Sequence, residues 1–107
     1  MKTYYNFLLN KKGIGVRDLS RFYKIKDGML ISYRGKPKGF LNSGYKYTRD
    51  YSIAISASTV IEDKHTMFNN GSGHVIIEFK GFGKFQFSIF ENVEGFVEDI
   101  KYYISQA

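Results

Sequence analysis

The chain has 107 residues, of which 43% are hydrophobic and 18% aromatic, so it suits one domain (1–107) with enough Phe and Tyr to fill a single core. It has no cysteine, which excludes disulfides, thiolate metal sites and a cysteine nucleophile and fits a reducing, cytoplasmic setting. The net charge of +6 is unevenly spread: residues 1–51 hold 12 Lys/Arg against 3 Asp/Glu, and residues 52–107 hold 4 against 7. A basic pole built from the first half would attract phosphates, anionic lipid headgroups or an acidic partner.

Tyr4 to Leu9 is the first apolar run. It is too short for a secretory segment, so any membrane contact is expected to be peripheral. Phe7-Leu8-Leu9 forms the heart of a first strand. Lys11 to Ser20 reads as a loop, because two glycines and three cations break any apolar period. Tyr23 and Ile25 then alternate with Lys24 and Lys26, and Met29, Ile31 and Tyr33 alternate with Leu30, Ser32 and Arg34. Asp27-Gly28 between them predicts a type I′ hairpin, since both central residues of that turn need positive φ.

Gly35 to Asp50, with the only proline at Pro37, reads as a long loop. Strands follow at Ser52–Ser56, Thr59–Glu62, around Val75, Ile77 and Phe79, and around Phe85 and Phe87, with Asn69 to Gly73 as a turn. From Glu91 to Ser105 the apolar residues Val93, Phe96, Val97, Ile100 and Ile104 form one helical stripe. Ser88 or Asn92 is the expected cap, and Gly95 suggests close packing against a strand or loop. The acids Glu91, Glu94, Glu98 and Asp99 are expected to serve the helix dipole and solubility. These elements predict a mainly β fold, a barrel of about seven antiparallel strands capped by one C-terminal amphipathic helix over residues 91–105.

Catalysis has little support. His65 and His74 are the only histidines, no glycine-rich phosphate loop opens a helix, and Glu62-Asp63-Lys64-His65 reads as a solvated turn rather than a metal or acid–base site. No cofactor is expected. Lys80 to Phe87, KGFGKFQF, approaches an RNA-recognition signature, but Lys84 replaces a required aromatic and the surrounding elements are in the wrong order. It reads as a hairpin turn with Phe82 exposed, so nucleic acid is not the expected partner.

The order and wording of the elements resemble a pleckstrin homology domain over nearly the whole chain. FLLNKKG (Phe7–Gly13) looks like the family's first strand and the start of its basic loop, and RFYKIKDGMLISYRG its second and third strands. SIAISASTVIED looks like the fourth and fifth, HVIIEF and KFQFSIF the sixth and seventh, and ENVEGFVEDIKYYI the final helix, with Phe96 where that helix usually carries tryptophan. The resemblance implies a noncatalytic module that recruits a protein to anionic membrane lipids, phosphoinositides among them, or alternatively one that binds a protein partner. The lipid-binding members gather three cations. Lys11 or Lys12 matches the first and Arg21 the arginine, while Leu19 stands at the middle cation's place. Arg17, Arg34, Lys46 and Arg49 are the further candidates for phosphate contacts, arginine offering a planar fork of donors and lysine a point charge. Four or five such cations near an anionic leaflet are worth about 4–5 kcal/mol, a weak, salt-sensitive attraction. Ile14 and Val16, which alternate with Gly13 and Gly15, are expected to pack on the barrel rim, the alternative being that they dip into a membrane interface beside the cations.

Overall fold

The structure, a computed structural model, describes residues 2–39 and 44–107. Along the chain run β1 (Tyr4–Leu9), β2 (Gly15–Lys26), β3 (Met29–Pro37), β4 (Tyr45–Ala54), β5 (Val60–Thr66), β6 (Gly73–Phe79), β7 (Gly83–Ile89) and α1 (Val93–Gln106). The seven strands form one antiparallel sheet in the order β4-β3-β2-β1-β7-β6-β5. The fold is therefore mainly β with a single C-terminal helix, as the periodicities predict. The word barrel applies only loosely, because β4 and β5 both end as sheet edges and the sheet stays open.

Curvature nevertheless closes one core. Residues that alternate along the inner face, among them Tyr23, Ile25, Leu30 and Ile53 on one half and Val75, Ile77, Phe79, Phe87 and Ile89 on the other, are all buried, and α1 adds Val93, Phe96, Val97 and Ile100. Phe96 is fully buried and lies 5.3 Å from the ring of Tyr4, 6.0 Å from Tyr23 and 5.4 Å from Phe87. Across the open side, Tyr51 of β4 comes within 5.9 Å of Phe85 on β7. Apolar burial and these edge-on and tilted ring contacts, rather than a continuous hydrogen-bond belt, hold the two halves of the sheet around the helix.

Asp27 and Gly28 both take positive φ, 54° and 73°, and join β2 to β3 in the tight turn expected of them. Other boundaries differ from the sequence expectation. β2 begins at Gly15, so half of the expected first loop is strand. The expected loop from Gly35 to Asp50 is largely the hairpin of β3 and β4, with Pro37 opposite Tyr45 near its end. Residues 40–43 of that expected loop lie outside the described residues. Both segments form two-stranded arms that run past the core, and the glycines and cations between their apolar residues imitate a loop. The radius of gyration, 14.4 Å, and a long axis of 46 Å reflect these projections, since a compact chain of this length has a radius near ~13 Å. Glu62 to His65 is also strand, not turn, and lies on the edge strand β5.

The helix is capped by Asn92, whose side chain accepts a hydrogen bond of 2.9 Å from Gly95 N. Ser88 is unavailable as a cap because it sits in β7, bonded to His74 Nδ1 at 2.8 Å. Gly95 is tight, but against the cap and not a strand: a Cβ there would run into the Asn92 side chain, 2.7 Å from Oδ1. Glycine to alanine inside a helix ordinarily gains about 1 kcal/mol. Here Gly95→Ala is expected to lower stability by about 1 kcal/mol by displacing the cap, read as a lower urea midpoint; a gain would show the cap to be dispensable.

Candidate functional site

The basic residues are distributed by one irregularity in the sheet. β1 and β2 pair in register from Tyr4↔Tyr23 to Tyr5↔Phe22, and the next pair is Asn6↔Asp18, so Leu19, Ser20 and Arg21 have no counterpart on β1. Asp18 secures this corner. Its carboxylate accepts from Ser20 N (2.9 Å), Ser20 Oγ (2.7 Å) and Asn6 Nδ2 (3.0 Å). Burial works to raise its pKa, but these bonds and the charge of Arg21 outweigh it and hold the group below the usual carboxylate range.

Beyond the corner, residues 6–9 and 15–18 form a ribbon that leaves the core sheet. One face packs down: Phe7 meets Phe68 edge-on at 5.7 Å and lies 5.2 Å from His74. The other face is bare. Leu8 and Val16 oppose each other in the ladder and, with Ile14, are exposed on this face by 38–54%, whereas Leu9, paired with Gly15, alternates to the Phe7 face and is exposed there. Ile14 and Val16 thus do not pack on a rim. Of nine exposed large apolar side chains among the described residues, Leu8, Leu9, Ile14, Val16 and Leu19 fall within one short segment, and Leu8, Ile14 and Val16 share one face of it. Lys11 and Lys12 occupy its turn, both exposed.

Arg21 and Arg34 face each other across β2 and β3, a like-charge pair that would repel on its own. The neutralising group is Asp50. In the β3–β4 ladder Ser32 pairs with Tyr51 and Tyr33 with Arg49, so Asp50 is a bulged residue, and its carboxylate lies 3.0 Å from Arg21 Nη1 and 3.8 Å from Arg34 Nη2. Arg21 also donates to the fully buried Ser32 Oγ at 2.5 Å. Burial opposes the Arg21 charge, yet the bond to Asp50 prevails and its pKa is raised. Tyr23 beside it is pushed up to about 12 by burial. Arg21 is a structural ion here, three-quarters covered and already supplied with acceptors.

The β3–β4 arm has two unlike faces. Tyr33, Gly35, Tyr45, Tyr47 and Arg49 share one, where Tyr47 covers Gly35 and donates to Leu19 O at 2.7 Å; a Cβ on Gly35 would meet the Tyr47 ring at 2.5 Å. Arg34, Lys36, Lys46 and Thr48 share the other, with Lys36 directly opposite Lys46. No described acid forms an ion pair with Lys36, Lys46 or Arg49.

The seven expected site residues therefore divide into four groups. Arg21 and Arg34 come together around Asp50. Lys46 and Arg49 lie on opposite faces of the β3–β4 arm. Arg17 stacks over Tyr5 at 4.9 Å and Phe90 at 5.6 Å and pairs with Glu91 at 3.6 Å. Lys11 and Lys12 are at the turn, about 20 Å along β2 from Arg21 at the usual strand rise. Sequence reasoning missed Lys36, visible only once the register sets it against Lys46, and Leu8, whose exposure follows from the corner. Asp50 and Glu91, the acids that occupy three of the expected cations, are 16 to 74 residues from them along the chain. His65 bonds Asp63 at 3.0 Å, and no group of three potential metal ligands occurs among the described residues. Compared with protein-family models, curated proteins and solved structures, the chain matches none.

The corner yields a pH test. Because the folded-state pKa of Asp18 lies below its unfolded value of about 3.9, its contribution is complete above that pH and is lost as pH falls through the folded-state value. Asp18→Ala is expected to cost about 1–2 kcal/mol at pH 7 and progressively less in acid. Urea unfolding from pH 7 to pH 3 reads both; a variant equal to wild type at pH 7 would remove the carboxylate from the corner.

Proposed function

We propose that the protein is a noncatalytic module of pleckstrin-homology-like build that docks on anionic membrane surfaces through the β1–β2 arm. The observation that carries this reading is the bare face of Leu8, Ile14 and Val16, ending on Lys11 and Lys12 at the turn. Aliphatic side chains beside lysines suit the boundary between headgroups and acyl chains. No helix among the described residues is long and apolar enough to cross a membrane, so the contact is peripheral in this reading.

Magnitudes support a reversible contact. Burying the exposed half of each aliphatic is worth about 1 kcal/mol, and each lysine at an anionic leaflet roughly 1 kcal/mol more. Three aliphatics and two lysines supply about 5 kcal/mol, a dissociation constant of about 0.2 mM before ordering costs. Lys36 and Lys46 add a second cationic contact that a flat leaflet can meet without a shaped pocket. Phosphoinositides enter as the most highly charged lipids of such a surface, because Lys11 and Lys12 are too far from Arg21 to close on one headgroup. The chemistry needs no cofactor and no catalytic group.

The alternative, a protein-binding module on the same fold, is favoured by the unpaired edges of β4 and β5. Vesicle sedimentation separates the two. Vesicles of phosphatidylcholine with phosphatidylserine are expected to bind the wild type, and Leu8→Asp with Val16→Asp to weaken binding about tenfold or more while leaving the far-ultraviolet circular dichroism unchanged. Lys11→Glu with Lys12→Glu should weaken it chiefly at low salt. Unchanged binding in the aspartate double variant would eliminate the arm as the docking element.

A further inference from the structure

We infer that the cleft around Arg17, on the reverse side of the arm from its bare face, is a binding site for a phosphate group. The cleft has a volume of about 300 Å³ and is lined by Lys2, Thr3, Tyr5, Arg17, Phe90 and Glu91. Its geometry does not depend on the arm entering a membrane.

Arg17 is held for the task. Its guanidinium lies over the Tyr5 ring at 4.9 Å and is 5.6 Å from the centre of Phe90, so the side chain is fixed by apolar surface on its flanks while half of it remains exposed. A guanidinium held against ring surfaces keeps N–H donors for an oxyanion, and little rotamer freedom is lost when one binds. The opposing wall is rigid. Glu91 has φ of 65°, and its N–H donates to Oγ of the fully buried Ser72 at 2.8 Å. Phe90 N donates to Tyr5 O at 2.8 Å, which ties the wall to β1. Gly71, with φ of 85°, lies so close to the Glu91 carbonyl that any side chain there would collide with it.

The charge balance selects the ligand. Lys2 and Arg17 supply two cations, and Glu91 supplies one carboxylate at 3.6 Å, with both partners of that pair at least half exposed. Such a pair contributes little and yields readily to a better acceptor. A phosphate, with up to two charges and three free oxygens, can take the guanidinium fork, the Lys2 ammonium and the hydroxyls of Thr3 or Tyr5 together; a carboxylate offers two oxygens and one charge. Val93 N and Gly95 N at the start of α1 are already bonded to Gly71 O and Asn92 Oδ1, so the donors are side chains and not the helix end.

Amide chemical shifts of the full chain, followed during titration with inorganic phosphate at constant ionic strength, test the site. Saturable shifts are expected at Tyr5, Arg17 and Phe90 to Asn92, with Arg17→Gln weakening binding about tenfold and Glu91→Gln tightening it about threefold. Glu91→Gln keeps every ring contact, so it reports even where Arg17→Gln disturbs the arm. Non-saturable shifts shared with chloride, or equal affinity for acetate, or affinity unmoved in both variants, would each overturn the proposal. A second arm identifies the source of the phosphate. Vesicles of phosphatidylcholine with phosphatidylinositol phosphate that lose affinity for Arg17→Gln indicate a headgroup, whereas unchanged vesicle binding with lost inorganic phosphate binding indicates a soluble phosphate. Either result is separate from the fate of Leu8 and Val16 at the membrane.

Discussion

The register break between β1 and β2 is the constraint on which the rest of the molecule depends. Three residues of β2, Leu19 to Arg21, are unmatched on β1, and β1 meets β7 in the ladder at a single pair, Asn6↔Ile89. Before the break, Tyr4 and Tyr23 face inward and belong to the core. After it, Phe7 packs on Phe68 and His74, and the ribbon has left the sheet. A break of this size exposes backbone and turns side chains toward water, so it persists only where polar groups are supplied. Asp18, accepting three hydrogen bonds at the corner, is that supply.

The same division explains why one small domain uses so many aromatic residues. The inner set, Tyr4, Tyr23, Phe79, Phe87 and Phe96, seals an open sheet against its helix through edge-on contacts. The outer set, Tyr5, Phe22, Tyr33 and Tyr47, stiffens the roots of the arms, with Phe22 stacked on Tyr33 at 4.8 Å. Two acids of α1 also hold the fold, beyond any role at the helix dipole. Asp99 accepts from the Tyr4 hydroxyl, whose pKa is driven up by burial and by that bond. Glu94 pairs with Lys64 and so ties the edge strand β5 to the helix, and that bond lowers its own pKa.

What was legible in the sequence is what short-range periodicity governs. Asp27-Gly28, the Val75-Ile77-Phe79 face and the stripe of α1 each follow from local sterics and one-sided burial. The first half of β2 and most of β4 escaped, because the glycines and cations that interrupt their apolar residues imitate a loop. The cap was legible only as a choice of two, and the choice fell to Asn92 because β7 had claimed Ser88. The candidate site was legible as a set of cations but not as an arrangement. Which of them are neutralised depends on Asp50 and Glu91, brought close by pairings that no local pattern encodes.

The acids of the basic half show where its charge is spent. Asp18, Asp27 and Asp50 are the only acids among residues 1–51, and each sits where the backbone departs from regular strand: the β1–β2 corner, the I′ turn and the β4 bulge. Asp18 and Asp50 thereby balance Arg21 and Arg34 near the core, and the unbalanced charge is displaced outward to Lys11, Lys12, Lys36 and Lys46. Cations gathered around one deep mouth would raise the cost of folding by mutual repulsion and reward it only when a matching ligand arrives. Spread over two hairpin arms, the same charges repel weakly and stay hydrated. Arg21 is fixed by acceptors, Ser32 and Asp50, and Arg17 instead by rings, between Tyr5 and Phe90, so the two arginines nearest the corner are held by different physics.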